Sequence, residues 1–292
     1  MTQMVIEEEK QIKMRKAYFE PETLGNKEMK DGITAVSFLS ENNFSKDAYF
    51  VVGGVATQSY LPEQYRRKTS DIDLALTVPL GFTDFKKFSK SAVEYLVSKG
   101  YNIELRKGQN TYQVIYSKKE KNSKIPHAFL IEFARRGKEY ILREGKRLER
   151  EILNARKKTI EGTNLAFRVS SPEDIVVPKL VRGVGSLSRH PEFWKYLPLF
   201  DGQGFKMIDK NLKMIGELRD EVVLNPGDPY ACEKLRFIAD SFDIRALSQT
   251  TGINQNYFET AINDWSKMRT YPQEKETLCS ILLPEIEIKK YN

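Results

Sequence analysis

Two short apolar runs, separated by a glycine pair and a polar loop, constrain this chain more than any other feature. Residues 49–76 read YFVVGGVATQSYLPEQYRRKTSDIDLAL. Tyr49, Phe50, Val51 and Val52 are apolar over the length of a buried strand. Gly53 and Gly54 end that run. A second apolar strand, residues 72–76, carries Asp71 and Asp73 near its start. Side chains alternate along a strand, so Asp71 and Asp73 face one side while Ile72 and Leu74 face the other.

Two carboxylates so close together resist joint ionisation. A divalent cation removes the conflict, and Mg²⁺ is typically held by one or two carboxylates plus substrate phosphates. Glycines lack a Cβ, so backbone amides at Gly53 and Gly54 approach a phosphate closely. A helix starting near Val55 would aim its positive end at the same point. Arg66, Arg67 and Lys68 lie just before the aspartates. Taken singly, Gly-Gly after a strand is usually a turn, and Asp-x-Asp at a strand end is often surface or capping. Their joint occurrence, with a basic approach, favours a site.

A chain of 292 residues can bury a sizeable core in one or two domains. Its 47 Lys and Arg against 40 Asp and Glu give a formal charge of +7. That balance is compatible with a nucleotide or nucleic-acid partner without requiring one. Cys232 and Cys279 form no zinc or disulfide pattern. The start of the chain is polar and lacks an apolar leader, and no window reaches membrane-span length. A cytosolic protein with no membrane partner is expected.

The remaining sequence predicts an α+β (α/β) fold: a mixed sheet flanked by helices, with a mainly helical C-terminal domain. The expected divisions are a helical extension at 1–43, a core at 44–169 and a helical domain at 170–292. Residues 6–15 read as a charged helix, and a second helix lies within 20–38. Residues 82–99 read as one amphipathic helix capped by Thr83, with Gly100 just past its end. Strands are expected at 101–107, 112–117, 127–133 and 164–169, with a basic hairpin loop at 118–124. Ser170 or Ser171, then Pro172, Glu173 and Asp174, open a helix running to about Gly183, with Pro178 inside it. Further helices are expected at 204–218, 230–242, 243–250 and 254–265. The segment 135–158 is the most basic region. Its charges suit an RNA or triphosphate path and a solvated helix face equally well.

Glu132 is a lone carboxylate in an apolar strand. It is either a surface glutamate on an edge strand or a functional group, because burying an unpaired carboxylate is expensive. His127 reads as a strand-end residue rather than a ligand. Gly53-Gly54 lacks the Gly-Lys-Ser/Thr of a P-loop, and there is no dinucleotide-binding fingerprint.

The set Gly53, Gly54, Ala56, Arg67, Thr69, Asp71 and Asp73 resembles the nucleotidyltransferase superfamily of the DNA polymerase β type. Within it, the arrangement most resembles the branch of AbiEii-like toxins and related stand-alone nucleotidyltransferases. The resemblance extends to Pro172, Glu173, Asp174 and Lys179. It stops at Arg189, where relatives continue with a Lys-Asp pair and a second aspartate, and this chain reads Arg189-His190-Pro191-Glu192.

The resemblance implies that Asp71, Asp73 and Glu132 are the catalytic and metal-holding carboxylates for Mg²⁺ or Mn²⁺. It also implies that Gly53, Gly54, Arg67, Thr69, Lys179, Arg182 and Arg189 serve an NTP, with Arg182 or Arg189 taking the family's basic role. Expected partners are the NTP, a tRNA or other RNA 3′ end or a protein hydroxyl as acceptor, and a cognate antitoxin if the toxin-like branch is right. The alternative is a nucleotide- or nucleic-acid-binding module of the same fold that does no chemistry.

Overall fold

The computed structural model describes residues 18–19, 27–41, 48–69, 71–118, 127–160, 163–225, 227–265 and 267–286. The helix expected at 6–15 and the basic loop beyond Lys118 lie outside them. The chain forms two compact units. One comprises Met1–Ser59 and Lys68–Ser171, the other Tyr60–Arg67 and Pro172–Asn292. The architecture is α+β: a mixed sheet flanked by helices, and a mainly helical second unit.

Among the described residues the first unit has eight strands: β1 (Tyr18–Phe19), β2 (Tyr49–Val52), β3 (Asp71–Leu76), β4 (Asn102–Lys107), β5 (Thr111–Lys118), β6 (His127–Ala134), β7 (Arg156–Ile160) and β8 (Ala166–Val169). Their order across the sheet is β1-β7-β8-β2-β3-β6-β5-β4. β2 pairs antiparallel with β3 and parallel with β8, and β3 pairs parallel with β6.

Alternation decides which face is buried. Ile72, Leu74, Tyr112, Val114, Tyr116, Ile131 and Phe133 are all buried. They meet α1 (Lys27–Ser37) and the helices that follow β3. Phe85 stacks on Tyr112 at 4.8 Å between ring centroids and meets Phe133 edge-on at 5.0 Å. Burying such side chains contributes roughly 1.5–3 kcal/mol each. The tyrosines keep their hydroxyls bonded, as buried phenols must: Tyr49 donates to the Val36 carbonyl at 3.0 Å, Tyr116 to that of Glu28 at 3.0 Å, and Tyr101 to Asp31 at 2.7 Å. α1 can lie this close only because of Gly32, where a Cβ would stand 2.2 Å from the Tyr116 hydroxyl. The opposite sheet face carries Asp71, Asp73, Gln113 and Glu132, all partly accessible.

Several elements differ from the sequence reading. The helix expected at 82–99 is two, α3 (Phe82–Phe88) and α4 (Lys90–Ser98), preceded by Gly81 rather than capped by Thr83. Ser89, between them, donates its hydroxyl back to the Phe85 carbonyl at 2.9 Å, a bond that competes with helix geometry. α5 (Lys138–Asn154) is followed directly by β7, so Arg156, Lys157 and Lys158 of the basic segment lie on a strand rather than on a helix face or loop. Period-two burial explains the difference, since Lys158 and Ile160 are buried between exposed or half-buried neighbours.

The second unit surrounds α6 (Pro172–Arg189), which continues through Pro178 well past Gly183. Val177, Val181, Val184 and Leu187 keep one face apolar over that extra length, and all four are buried. The stretch 204–218 divides into α7 (Gly202–Lys206) and α8 (Ile208–Leu224), separated at Met207, where ψ is 56°. The break expected near residue 243 is absent. α9 (Pro229–Thr251) is one helix, because Ile238, Phe242 and Ala246 form a single buried row. Its N-terminus is capped by Asp228, which accepts from the Tyr230 and Ala231 amides. α10 (Gln255–Asn263), α11 (Lys267–Thr270) and α12 (Pro272–Leu282) complete the unit. Among the described residues, no helix is long and apolar enough to cross a membrane.

Candidate functional site

The glycine pair and the aspartates meet as the strand register requires. α2 (Gly53–Gln58) begins where β2 ends, and Val52 offers no side-chain cap. Antiparallel pairing sets Val52 opposite Asp73. Gly53 has φ of 65°, which favours glycine, and a Cβ there would stand 2.3 Å from the Asp73 Oδ2. The turn and the carboxylate therefore occupy adjoining space. At Gly54, a Cβ would stand 2.7 Å from the Thr69 Oγ1, and that hydroxyl donates to the Asp71 carbonyl at 3.3 Å. Gly53, Gly54, Thr69, Asp71 and Asp73 are thus drawn together within one unit.

Glu132 is beside them. Parallel pairing aligns it with Asp73, and β6 lies between β3 and β5, so the edge-strand reading is corrected. Its Oε2 accepts from the Gln113 side-chain amide at 2.8 Å. Gln113 is a site neighbour that sequence reasoning passed over. The signal was its alternation with the apolar Tyr112 and Val114.

Among the described residues, no three His, Cys, Asp or Glu side chains form a group able to hold a metal ion. The three carboxylates share a face without converging as a triad. Two aspartates on one strand face are donors of the type a hard divalent cation takes. Glu132 is engaged by Gln113 in this arrangement.

The helical unit arranges its charges differently. The Lys179 ammonium lies 2.6 Å from Asp240 Oδ1 and 2.8 Å from Asp243 Oδ2, and its side chain is only 3% exposed. Arg67 holds Asp243 through two bonds, Nε at 2.9 Å and Nη2 at 2.6 Å. The Arg182 Nε donates to Asp240 Oδ2 at 2.8 Å. Burial alone would raise the pKa of both aspartates. Lys179 with Arg182 at Asp240, and Arg67 with Lys179 at Asp243, overcome that and hold both below the ordinary carboxylate range. Arg67, Lys179 and Arg182 are therefore joined in one cluster with two carboxylates that sequence reasoning missed. Two aspartates three residues apart in an otherwise apolar helical run were the available signal.

Arg189 lies further along α6 and donates from Nε to Glu233 at 3.1 Å, with His190 Nε2 3.2 Å from the same carboxylate. In the basic segment, α5 pairs Arg143 with Glu144, and Arg147 with Glu144 and Glu151.

No known family profile matches the chain, and no curated protein sequence resembles it. Solved structures do. An antigenic nucleotidyltransferase-like protein from Paracoccidioides brasiliensis is 15% identical, with 87% of this chain and 97% of that one covered and a TM-score of 0.37. A nucleotidyltransferase candidate from H. pylori is 14% identical over 90% and 96% of the two chains, with a TM-score of 0.35. JHP933 from Helicobacter pylori is 15% identical over 80% and 95%, with a TM-score of 0.31. At these identities and scores, the roles of individual residues rest on the chain's own geometry.

Proposed function

We propose that this protein is a nucleotidyltransferase that moves a nucleoside monophosphate from an NTP to an acceptor hydroxyl. The observation that carries the reading is the Asp73 carboxylate packed against the Gly53 turn, on the same face as Asp71 and in register with Glu132. Asp71 and Asp73 would hold Mg²⁺ or Mn²⁺. The metal supplies charge neutralisation at the transferring phosphoryl group. Gly53 and Gly54 give their Cβ space to Asp73 and Thr69, and their backbone amides would meet the triphosphate beside those side chains. Glu132 takes the acceptor's proton. The acceptor oxygen bonds to the α-phosphorus, the bond to the β-phosphate bridge breaks, and pyrophosphate leaves.

The acceptor we favour from the sequence resemblance is a tRNA or other RNA 3′ end, or a protein hydroxyl, in the cytosol. The toxin role and an antitoxin partner rest on that resemblance alone. Within this reading Arg67 and Lys179 hold the helical unit together, while the more exposed Arg182 and Arg189 are the phosphate-holding candidates. A second reading, a binding module that does no chemistry, is favoured by the Gln113 side-chain amide, which holds the Glu132 carboxylate at 2.8 Å.

The test is incubation with Mg²⁺, each α-labelled NTP, total RNA and total protein, beside an Asp71→Ala/Asp73→Ala variant. Label transferred only by the intact protein supports the enzyme. NTP binding without pyrophosphate release under every condition supports the module.

A further inference from the structure

A cleft of about 310 Å³ opens between α6 and α9. It lies wholly within the helical unit, and three arginines line it: Arg182, Arg189 and Arg236. Arg182 and Arg189 keep 44% and 58% of their side chains exposed. The Arg189 guanidinium lies along α6 over Gly185, where a Cβ would stand 3.4 Å from Nη1. Arg236 is exposed and forms no hydrogen bond or ion pair with the described residues.

Glu233 is the one carboxylate in the lining, and its charge is already answered. Burial works against its ionised form, and hydrogen bonds from Arg189 and Ser186 overcome that. Arg189 is paired with Glu233 and Arg182 with Asp240, so the three guanidinium groups exceed those two carboxylates by one positive charge, beside Arg236. Guanidinium forks match the oxygens of a phosphoryl group, which they bind bidentately. Val181 and Pro229 add an apolar wall. The volume stands at the lower end of small-molecule sites, roughly 300–1,000 Å³.

We infer that the α6–α9 cleft is a binding site for a small phosphorylated ligand, its phosphoryl group held by Arg182, Arg189 and Arg236. The cleft shares Arg182 with the Lys179 cluster, whose ammonium lies between two buried aspartates and is not part of the lining. The cleft takes up Arg182 and Arg189, the phosphate-holding candidates of the transferase reading, and adds Arg236 to them.

The test is calorimetric titration of the full chain with pyrophosphate as probe. The account expects saturable binding of one equivalent, weakened roughly tenfold or more in Arg236→Gln and in Arg189→Gln, each checked for an unchanged melting temperature. It expects the same binding in Asp71→Ala/Asp73→Ala, so the cleft is judged independently of the carboxylate face. No saturable binding at millimolar pyrophosphate would overturn the site. So would equal affinity in wild type and Arg236→Gln, or loss confined to the double aspartate variant. A single-stranded RNA oligonucleotide that displaces pyrophosphate and shows the same Arg236 dependence would overturn the small-ligand assignment.

Discussion

Asp71, Asp73 and Glu132 stand on a partly accessible sheet face, brought side by side by strand register. Asp240 and Asp243 stand on a buried helix face, enclosed by Arg67, Lys179 and Arg182. Both regions place two carboxylates within a few residues of each other. In the helical unit the protein itself supplies the opposing charges, so the carboxylates serve the fold. On the sheet the carboxylates adjoin the Gly53 turn and the Gln113 side-chain amide, on a face that stays partly accessible. Spacing alone does not separate the two cases. What separates them is burial: Asp240 and Asp243 are enclosed among their cations, whereas Asp71, Asp73 and Glu132 stay partly accessible.

The largest effect that would break this contrast is at Lys179. Lys179→Met leaves Asp240 and Asp243 buried with one cation fewer, and it should destabilise the protein by about 3–5 kcal/mol in urea unfolding. A cost under about 1 kcal/mol would mean the cluster is not structural. The pH dependence sharpens the point. Both aspartates have folded-state pKa values below their unfolded values, so they contribute stability above the ordinary aspartate pKa of about 3.9. That contribution is lost only as pH falls through the lower folded values. Acid unfolding followed by helical circular dichroism should therefore begin below about pH 4, and Lys179→Met should move it to higher pH.

The next effect is at the turn. Gly53→Ala places a Cβ against the Asp73 carboxylate at a positive φ and should cost about 1–3 kcal/mol. It should also weaken NTP binding, and thermal melts paired with nucleotide titration would measure both. The smallest effect is at Glu132. Glu132→Gln should change stability by less than about 0.5 kcal/mol, since the residue is partly accessible. It should lower turnover while leaving NTP affinity near wild type, which steady-state kinetics would resolve.

The sheet side of the contrast was legible in sequence, because strands write their faces in period two. The apolar run at residues 49–52, the glycines, and the opposite facing of Asp71 and Ile72 follow from local pattern, and the burial of Ile72 and Leu74 agrees. The helical side was not legible. The Arg67–Asp243 pair joins residues 176 apart in sequence, and nothing local to either end announces the other. The resemblance implied a phosphate ligand at Lys179, and its helix gives no hint of the two aspartates on α9. Likewise, the continuity of α9 depends on a buried row that tertiary packing completes.

The most direct test of the central claim is a Mn²⁺ titration followed by electron paramagnetic resonance, with a non-hydrolysable NTP analogue present. The account predicts that wild type and Lys179→Met, under conditions where the variant is folded, both bind Mn²⁺. It predicts that Asp71→Ala/Asp73→Ala does not, at an unchanged melting temperature. Equal Mn²⁺ binding by the double variant, or none by the wild type, would contradict the assignment of the sheet carboxylates as the metal-holding group.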